Sequence, residues 1–162
     1  MLQIFRQILC AGFAAAGLAA IPCVAQQSPT AGAKEGDFVL HNFQFHSGES
    51  LPELKLHYTT LGKPVKDAAG HTTNAVLILH GTGGTGQQFF APQFANVLFR
   101  PGQLLDTALY YIILPDGIGH GKSSKPSDGL HAHFPQYDYD DMVAAHYRLL
   151  TEGLGVNHAR LV

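Results

Sequence analysis

Cysteine is scarce in this sequence. Its 162 residues include two cysteines, Cys10 and Cys23, and both lie within the first 25 residues. The chain after residue 25 has none, which excludes a disulfide scaffold and a cysteine metal site in that part. Such a chain must derive its stability from an apolar core, and 46% apolar residues suit one globular domain.

Charge is scarce as well. Lysine and arginine number 10 against 12 aspartates and glutamates, so the formal net charge is −2, and only 14% of the residues are charged. Proteins that bind nucleic acid usually carry a basic surface rich in lysine and arginine. We therefore expect no nucleic-acid partner.

The N-terminal segment carries one charged side chain, Arg6, in its first 25 residues. Residues 8–20 are apolar and rich in alanine, and small residues follow at positions 23–25. This pattern predicts a secretory signal peptide cleaved after Ala25, and hence an exported protein, periplasmic or secreted. The apolar stretch is shorter than the ~20 residues that a membrane-spanning helix needs, so we expect no membrane association after cleavage.

Residues 26–36 are predicted to form a flexible leader, and residues 37–162 the N-terminal part of an α/β domain. Alternating apolar residues on either side of a turn at residues 47–50 predict a β-hairpin with one solvent-facing side. In its second strand we expect the core-facing side chains to be Leu54, Leu56 and Tyr58, and the solvent-facing ones to be Lys55, His57 and Thr59.

Continuous apolar runs at residues 75–79 and 109–114 predict two buried strands. Phe90, Phe94 and Val97 recur at helical spacing between them and predict a short helix. Asp138 is predicted to cap a second helix, with Asp141 completing a capping box. The apolar face predicted for this helix consists of Val143, Tyr147, Leu150 and Leu154.

A further strand is predicted to begin at residues 159–162. A hairpin followed by strand, helix, strand, helix and strand predicts a parallel sheet with helices on both faces. Ligands of such sheets bind beyond the carboxyl ends of the strands. A glycine-rich turn follows each buried strand at that end, at residues 81–86 and 116–123, and the two turns are the candidate site.

The first turn fits three functions: an oxyanion hole, a dinucleotide-binding turn or a phosphate loop. Gly81, Gly83 and Gly86 have the spacing of a dinucleotide fingerprint, but a ribose-binding acid is poorly provided. Asp106 precedes the next strand, and Asp116 lies thirty positions after Gly86. The second turn has Asp116 where a phosphate loop has its first glycine, which argues against a phosphate site there.

Both turns resemble those of the α/β-hydrolase family. In that family the third strand often ends in His-Gly and small residues, like His80-Gly81-Thr82-Gly83-Gly84 here, and an Asp-x-x-Gly-x-Gly-x-Ser loop follows the next strand, matched by Asp116, Gly119, Gly121 and Ser123. Residues 47–52, 58–62, 74–77 and 141–143 resemble the homoserine O-acetyltransferase branch. The likeness runs from about residue 37 to residue 162.

The resemblance implies acyl chemistry by a serine on a Gly-x-Ser-x-Gly elbow, with one oxyanion N–H donated by Thr82 or by its neighbours Gly81 and Gly83. No such elbow occurs in the 162 residues. In the family the serine, acid and histidine follow in that order, so we expect all three beyond Val162 and an incomplete domain here, inactive by itself.

Four other residues of the turns receive predicted roles. His120 and Ser123 are candidate pocket-lining residues, and His80 and Asp116 are predicted to support the turns structurally. We expect no cofactor and no metal. His131-Ala132-His133 could bind an ion only with a third ligand, and none follows at suitable spacing.

The predicted substrate is a small acyl compound or ester. Because acetyl-CoA is a cytosolic donor, export favours hydrolysis over acetyl transfer. Three alternatives stay open: an acyl-CoA-dependent O-acyltransferase, a non-catalytic remnant of the fold and a dinucleotide-binding oxidoreductase. The sequence does not indicate the substrate's identity or the oligomeric state.

Cleavage of the signal peptide predicts a mature protein that begins at Gln26. N-terminal sequencing of protein recovered from the periplasm or the medium should give this residue first. Ala25→Arg should block cleavage because the peptidase requires a small residue there, whereas Ala25→Gly should be processed normally. Protein that keeps Met1 and stays in the cytosol would contradict the prediction.

Overall fold

A computed structural model describes residues 28–162, so the predicted signal peptide and residues 26 and 27 of the predicted leader lie outside the described part. Four strands form one sheet in the order β1-β2-β4-β3. Their bounds are Lys34–Gln44 for β1, Ser50–Leu61 for β2, Ala75–Leu77 for β3 and Tyr111–Pro115 for β4.

Two α-helices accompany the sheet: α1 spans Pro92–Leu98 and α2 spans Tyr139–Arg148. A π-helical turn at Leu149–Gly153 continues α2, and short 3₁₀ turns lie at Gly86–Phe90, Pro126–Asp128 and His131–His133. Gly155, with a φ of +63°, follows the end of this helical segment. No helix within residues 28–162 has both the length and the apolar character needed to cross a membrane.

The pairing of the strands confirms the predicted α/β class. β1 and β2 form an antiparallel hairpin, β2 pairs antiparallel with β4, and β3 pairs parallel with β4. Leu161 pairs parallel with Val76 on the free side of β3, and its carbonyl accepts the Leu77 N–H at 3.0 Å. The strand predicted at residues 159–162 therefore begins beside β3.

The start of β1 corrects the predicted leader, because residues 34–36 of that leader are part of the sheet. Lys34 pairs with Thr60, and Glu35 with Thr59, in the same register as the rest of the hairpin. The alternation of the hairpin simply continues through these polar residues, which the low hydrophobicity of the segment concealed.

The two faces of the sheet carry separate cores. On β4, Ile112 and Leu114 pack with Phe99 and Ala95 of the α1 region, while Ile113 points to the opposite face. There Ile113 clusters with Leu77 and Val156, and Leu150 and Leu154 of the segment after α2 pack against them. A further cluster joins the hairpin to the α2 region, with Leu40, Leu54, Leu56, Ile118, Ala145 and Leu149. Helices thus cover both faces, as predicted.

The hairpin does not have the predicted solvent-facing side. His57 and Thr59 are 6% and 2% exposed, although both were expected in solvent. Asp37 binds the His57 ring, with 2.7 Å between Oδ1 and Nδ1, and Gln87 donates to Thr59 Oγ1 at 3.3 Å. Polar side chains from β1 and from the first 3₁₀ turn therefore cover this face of β2.

Only part of each predicted apolar face is buried: Leu150 and Leu154 pack against the core after α2, and Phe90 packs against it before α1. Val143 and Tyr147 of α2 are each 64% exposed, and Val97 of α1 is 59% exposed. On α2 the capping box sets the rotation: Asp141 is buried and accepts the His46 N–H at 2.9 Å, which places Ala145 on the hairpin side. On α1 the residues that pack are Ala95 and, just after the helix, Phe99; Phe94 is 37% exposed.

β3 is shorter than the predicted strand at residues 75–79, and β4 is displaced toward the C-terminus from the predicted strand at residues 109–114. Leu79 is 44% exposed and Leu109 is 64% exposed, and neither belongs to a strand. The apolar runs of the sequence extend past the strands because leucine also occurs in the turns that flank them.

The capping box of α2 is confirmed and yields a stability prediction. Asp141 accepts the N–H groups of His46 and Asp138, and it is 2% exposed. Asp141→Ala leaves both donors without an acceptor and should lower the free energy of unfolding by about 2 kcal/mol. Urea denaturation measures this loss.

Asp140→Ala is the matched control, because the neighbouring Asp140 is exposed and only its charge near the helix N-terminus is lost. It should cost about 0.5 kcal/mol. Equal losses in the two variants would contradict the role assigned to Asp141.

Candidate functional site

The two glycine-rich turns lie side by side at the carboxyl ends of β3 and β4, and His80 joins them. Its Nε2 accepts the Gly117 N–H at 2.9 Å, and its Nδ1 lies 2.9 Å from the Gly81 carbonyl oxygen. A carbonyl can only accept, so the ring proton is on Nδ1 and the imidazole is neutral in this arrangement. His80 thus supports both turns, with each ring nitrogen already bonded.

Asp116 makes a second, buried connection between the turns. Its Oδ1 accepts the Gly86 N–H at 2.8 Å and its Oδ2 accepts the Lys122 N–H at 2.9 Å, and the residue is 3% exposed. A side chain at Gly121 would overlap Asp116 Oδ2, and Gly121 has a φ of +52°. The position therefore requires glycine on two counts.

His120 belongs to the second turn and packs on His80, with 5.1 Å between ring centroids. Its Nδ1 lies 3.0 Å from the Ile118 carbonyl oxygen, and its Nε2 accepts a long hydrogen bond of 3.4 Å from the Gly83 N–H. His120 therefore carries its proton on Nδ1 as well and shapes the first turn from the second.

A cavity of about 460 Å³ opens where the turns meet the N-terminus of α2. It is lined by His80, Gly81, Thr82, His120, Tyr137, Asp138, Tyr139 and Met142. Its walls are aromatic and aliphatic with a few polar groups, which is the usual character of a small-molecule site. The predicted residues Gly81, Thr82 and His120 meet here.

The N–H groups of the first turn differ in their hydrogen bonding. Gly84 donates to the Gly81 carbonyl at 2.9 Å, and Gly83 donates to His120. Among the hydrogen bonds of residues 28–162, none uses the N–H of Gly81 or of Thr82. These two N–H groups thus have no acceptor among the described residues, whereas the N–H of Gly83 is engaged.

Ser123 does not line the cavity, which corrects its prediction. It is fully buried; its Oγ accepts the His57 N–H at 2.9 Å and donates to the Asp116 carbonyl at 2.7 Å. The hydroxyl ties the second turn to β2. An Asp-x-x-Gly-x-Gly-x-Ser pattern in the sequence does not reveal that its serine points into the protein.

The geometry contradicts a dinucleotide site at the first turn. The segment after the glycines is a five-residue 3₁₀ turn, and the Gly86 N–H that would face a phosphate is bonded to Asp116. Asp106, the candidate ribose ligand, is buried and accepts the N–H groups of Gly102 and Ala108 at 2.7 and 2.8 Å. These hydrogen bonds stabilise the turn at residues 102–108, which is separate in the chain from both glycine-rich turns.

The histidines named as candidate metal ligands lie in an exposed 3₁₀ turn, His131–His133. A different group, His46, Asp138 and Asp140, brings potential ligand atoms within 4.8 Å of one another, and all three residues are exposed. Asp138 caps α2 and Asp140 lies in its first turn, where acidic residues are favoured by the helix dipole. Helix capping explains this group.

Four cavity residues were missed by sequence reasoning: Tyr137, Tyr139, Met142 and, as a lining residue, Asp138. The predicted cap at Asp138 could have indicated them, because a helix that follows β4 begins near the same end of the sheet. A larger cavity of about 620 Å³ borders the second turn and β1, but most of its charged side chains are already paired with one another.

No protein-family model matches the chain. A probable acyltransferase of Methanothermobacter thermautotrophicus is 32% identical over 124 residues, which are 76% of this chain and 37% of that protein. A homoserine O-acetyltransferase of Natronomonas pharaonis is 30% identical over 141 residues, or 76% of this chain and 33% of the relative. The chain spans about a third of the length of the curated relatives it matches.

Solved structures of similar proteins give the same fold. An acetylester hydrolase from Corynebacterium glutamicum superposes with a TM-score of 0.66 at 26% identity, covering 78% of this chain and 35% of that one. A homoserine O-acetyltransferase from Staphylococcus aureus has a TM-score of 0.64 at 23% identity, covering 80% and 38%. The latter likeness concerns the fold alone.

Behind the site, His146 of α2 is buried and its Nε2 has no hydrogen-bond partner among the described residues. Burial lowers the pKa of His146 from 6.5 to about 4, because the charged imidazolium would lose its hydration. The unfolded chain therefore binds a proton between these two pH values that the folded chain does not bind.

This difference predicts acid sensitivity. The contribution of neutral His146 to stability is fully present above about pH 6.5 and is lost as pH falls towards 4, up to about 3 kcal/mol. His146→Leu should remove that part of the pH dependence in urea denaturation at several pH values. His133→Leu, at an exposed position, should retain it, and an unchanged pH dependence in His146→Leu would contradict the assignment.

Proposed function

Because the chain forms the N-terminal part of an α/β-hydrolase fold and resembles homoserine O-acetyltransferases, we propose that it supplies half of the oxyanion hole of an exported serine hydrolase. The substrate is a small ester or related acyl compound. The observation that carries the proposal is the pair of unbonded N–H groups at Gly81 and Thr82, on a cavity at the carboxyl ends of β3 and β4.

In the proposed reaction a serine supplied beyond Val162 attacks the acyl carbonyl. The carbonyl oxygen takes up the electron pair of the broken π bond and becomes the oxyanion, and the Thr82 N–H donates to it. A second N–H comes from the residue after the nucleophile. The position of Leu161 beside β3 supports this arrangement, because a strand there points toward the same end of the sheet.

The histidines of the site have supporting roles in this mechanism. Both rings carry the proton on Nδ1 toward a carbonyl, and both Nε2 atoms accept a backbone N–H. A general base needs a free lone pair at the reacting group. His80 and His120 are therefore not placed as the base, which we propose comes, like the serine, from beyond Val162.

Acyl transfer is the alternative function, and the names of two relatives favour it: a probable acyltransferase and a homoserine O-acetyltransferase. Transfer and hydrolysis share the acyl-enzyme step and differ in whether a hydroxyl compound or water accepts the acyl group. The proposed export favours water, because acetyl-CoA is not available outside the cytosol. A non-catalytic remnant of the fold would do neither.

Activity of the complete reading frame that contains these residues distinguishes the possibilities. We expect hydrolysis of p-nitrophenyl acetate and no transfer of acetyl from acetyl-CoA to homoserine. Transfer without hydrolysis would replace the hydrolase by an acyltransferase. A purified, folded protein with neither activity and with no serine elbow after Val162 would support the remnant.

The oxyanion role predicts a specific difference between two variants of Thr82. Thr82→Pro removes the N–H and should lower kcat for p-nitrophenyl acetate about 10²-fold to 10³-fold. Thr82→Ala keeps the N–H and should remain within about threefold of the unmodified protein. Circular dichroism checks that the proline variant is folded, and equal kcat values in the two folded variants would refute the role of the Thr82 N–H.

A further inference from the structure

We infer that Glu35 is a positioning residue for the oxyanion turn: its carboxylate clamps the two glycine-rich turns together from the outside, opposite the buried carboxylate of Asp116. The inference rests on the proposed function. It deepens that function by giving the N-terminal strand β1 a part in building the site.

The carboxylates of Asp116 and Glu35 connect the same two segments of the chain. Asp116 accepts the backbone N–H groups of Gly86 and Lys122. Glu35 accepts from the side chains of Gln87 and Lys122, with 3.0 Å from Gln87 Nε2 to Oε1 and 2.6 Å from Lys122 Nζ to Oε2. Each carboxylate therefore bridges from the end of the first turn, at Gly86 or the next residue Gln87, to Lys122 of the second turn.

The hairpin fixes the position of Glu35. Glu35 pairs with Thr59 of β2, and the Thr59 hydroxyl accepts a second hydrogen bond from Gln87 Nε2 at 3.3 Å. Two residues along β1, Asp37 holds the buried His57 ring. Gln87 is thus held by both strands of the hairpin, and it lies five residues after Thr82.

The charges around the clamp favour this closed arrangement. Lys122 lies near Asp37 and Asp116 as well as Glu35, and the hydrogen bond from Lys122 lowers the pKa of Glu35. The carboxylate is therefore ionised at neutral pH and accepts from both turns. Because Glu35 and Lys122 are about half exposed, their ion pair contributes little to global stability. The effect of the clamp should appear in the position of the turn rather than in the stability of the fold.

Glu35→Ala removes both contacts of the clamp and leaves Asp116 in place. We expect kcat for p-nitrophenyl acetate to fall about 10-fold with KM within about twofold, because loosening the turn misplaces the Thr82 donor. Glu35→Gln retains an acceptor for Gln87 and should recover part of the loss. Combining Glu35→Ala with Lys122→Ala should lower kcat no further than the worse single variant, since both substitutions remove one interaction.

Glu152→Ala is the matched control. Glu152 is similarly exposed and pairs with Arg148 at 2.8 Å, far along the chain from both turns. It should leave kcat within about twofold of the unmodified protein and should give the same melting temperature as Glu35→Ala, within about 2 °C.

Hydrogen exchange separates this inference from the proposed function. By mass spectrometry of the complete protein, the hydrogen-bonded amides of residues 83–88 should exchange faster in Glu35→Ala and not in Glu152→Ala. Unmodified protein without esterase activity would refute the hydrolase, and the exchange rates would still decide whether the clamp exists. Exchange and kcat in Glu35→Ala equal to those of Glu152→Ala would overturn the clamp.

Discussion

The buried carboxylate of Asp116 holds the two glycine-rich turns together. Asp116 directly follows β4, and its backbone N–H donates to the His57 carbonyl of β2 at 2.8 Å. The sheet therefore fixes the position of Asp116. From there its oxygens accept the N–H groups of Gly86 and Lys122, and the Gly86 N–H would otherwise be buried without a partner. The absence of a side chain at Gly121 leaves space for the Asp116 carboxylate. Together with His80, Asp116 sets the relative position of the two turns, whose residues line the cavity.

In the proposed function this site stabilises negative charge, and its two histidines support the turns. His80 and His120 use both of their ring nitrogens on the backbone, which makes them rigid parts of the wall. The N–H groups of Gly81 and Thr82 have no acceptor among residues 28–162. Preorganised donors of this kind are effective because they need no rearrangement as charge develops. Under the proposed function these residues form an electrostatic half-site, and the nucleophile and the base come from elsewhere.

Much of the fold was predictable because its determinants are local. Asp138 and Asp141 cap α2 as their spacing indicates, and the turn at residues 47–50 closes the hairpin in register. The helix faces were not predictable in the same way. Val143 and Tyr147 have the spacing of a buried stripe, yet the hydrogen bond from His46 to Asp141 rotates α2 so that Ala145 faces the core. A periodic pattern specifies that a face exists, and a distant contact selects which one.

The sequence by itself determined the class of the fold, the order of its elements and the two glycine-rich turns, since these depend on neighbouring residues and on the apolar pattern. Only the tertiary structure decided what the polar residues of the turns do. Ser123 points inward to β2 rather than into the cavity, His57 is buried beneath the charges of β1, and Tyr137 and Met142 line the cavity. The direction of a polar side chain depends on partners far away in the chain, as Glu35 and Lys122 show across 87 positions.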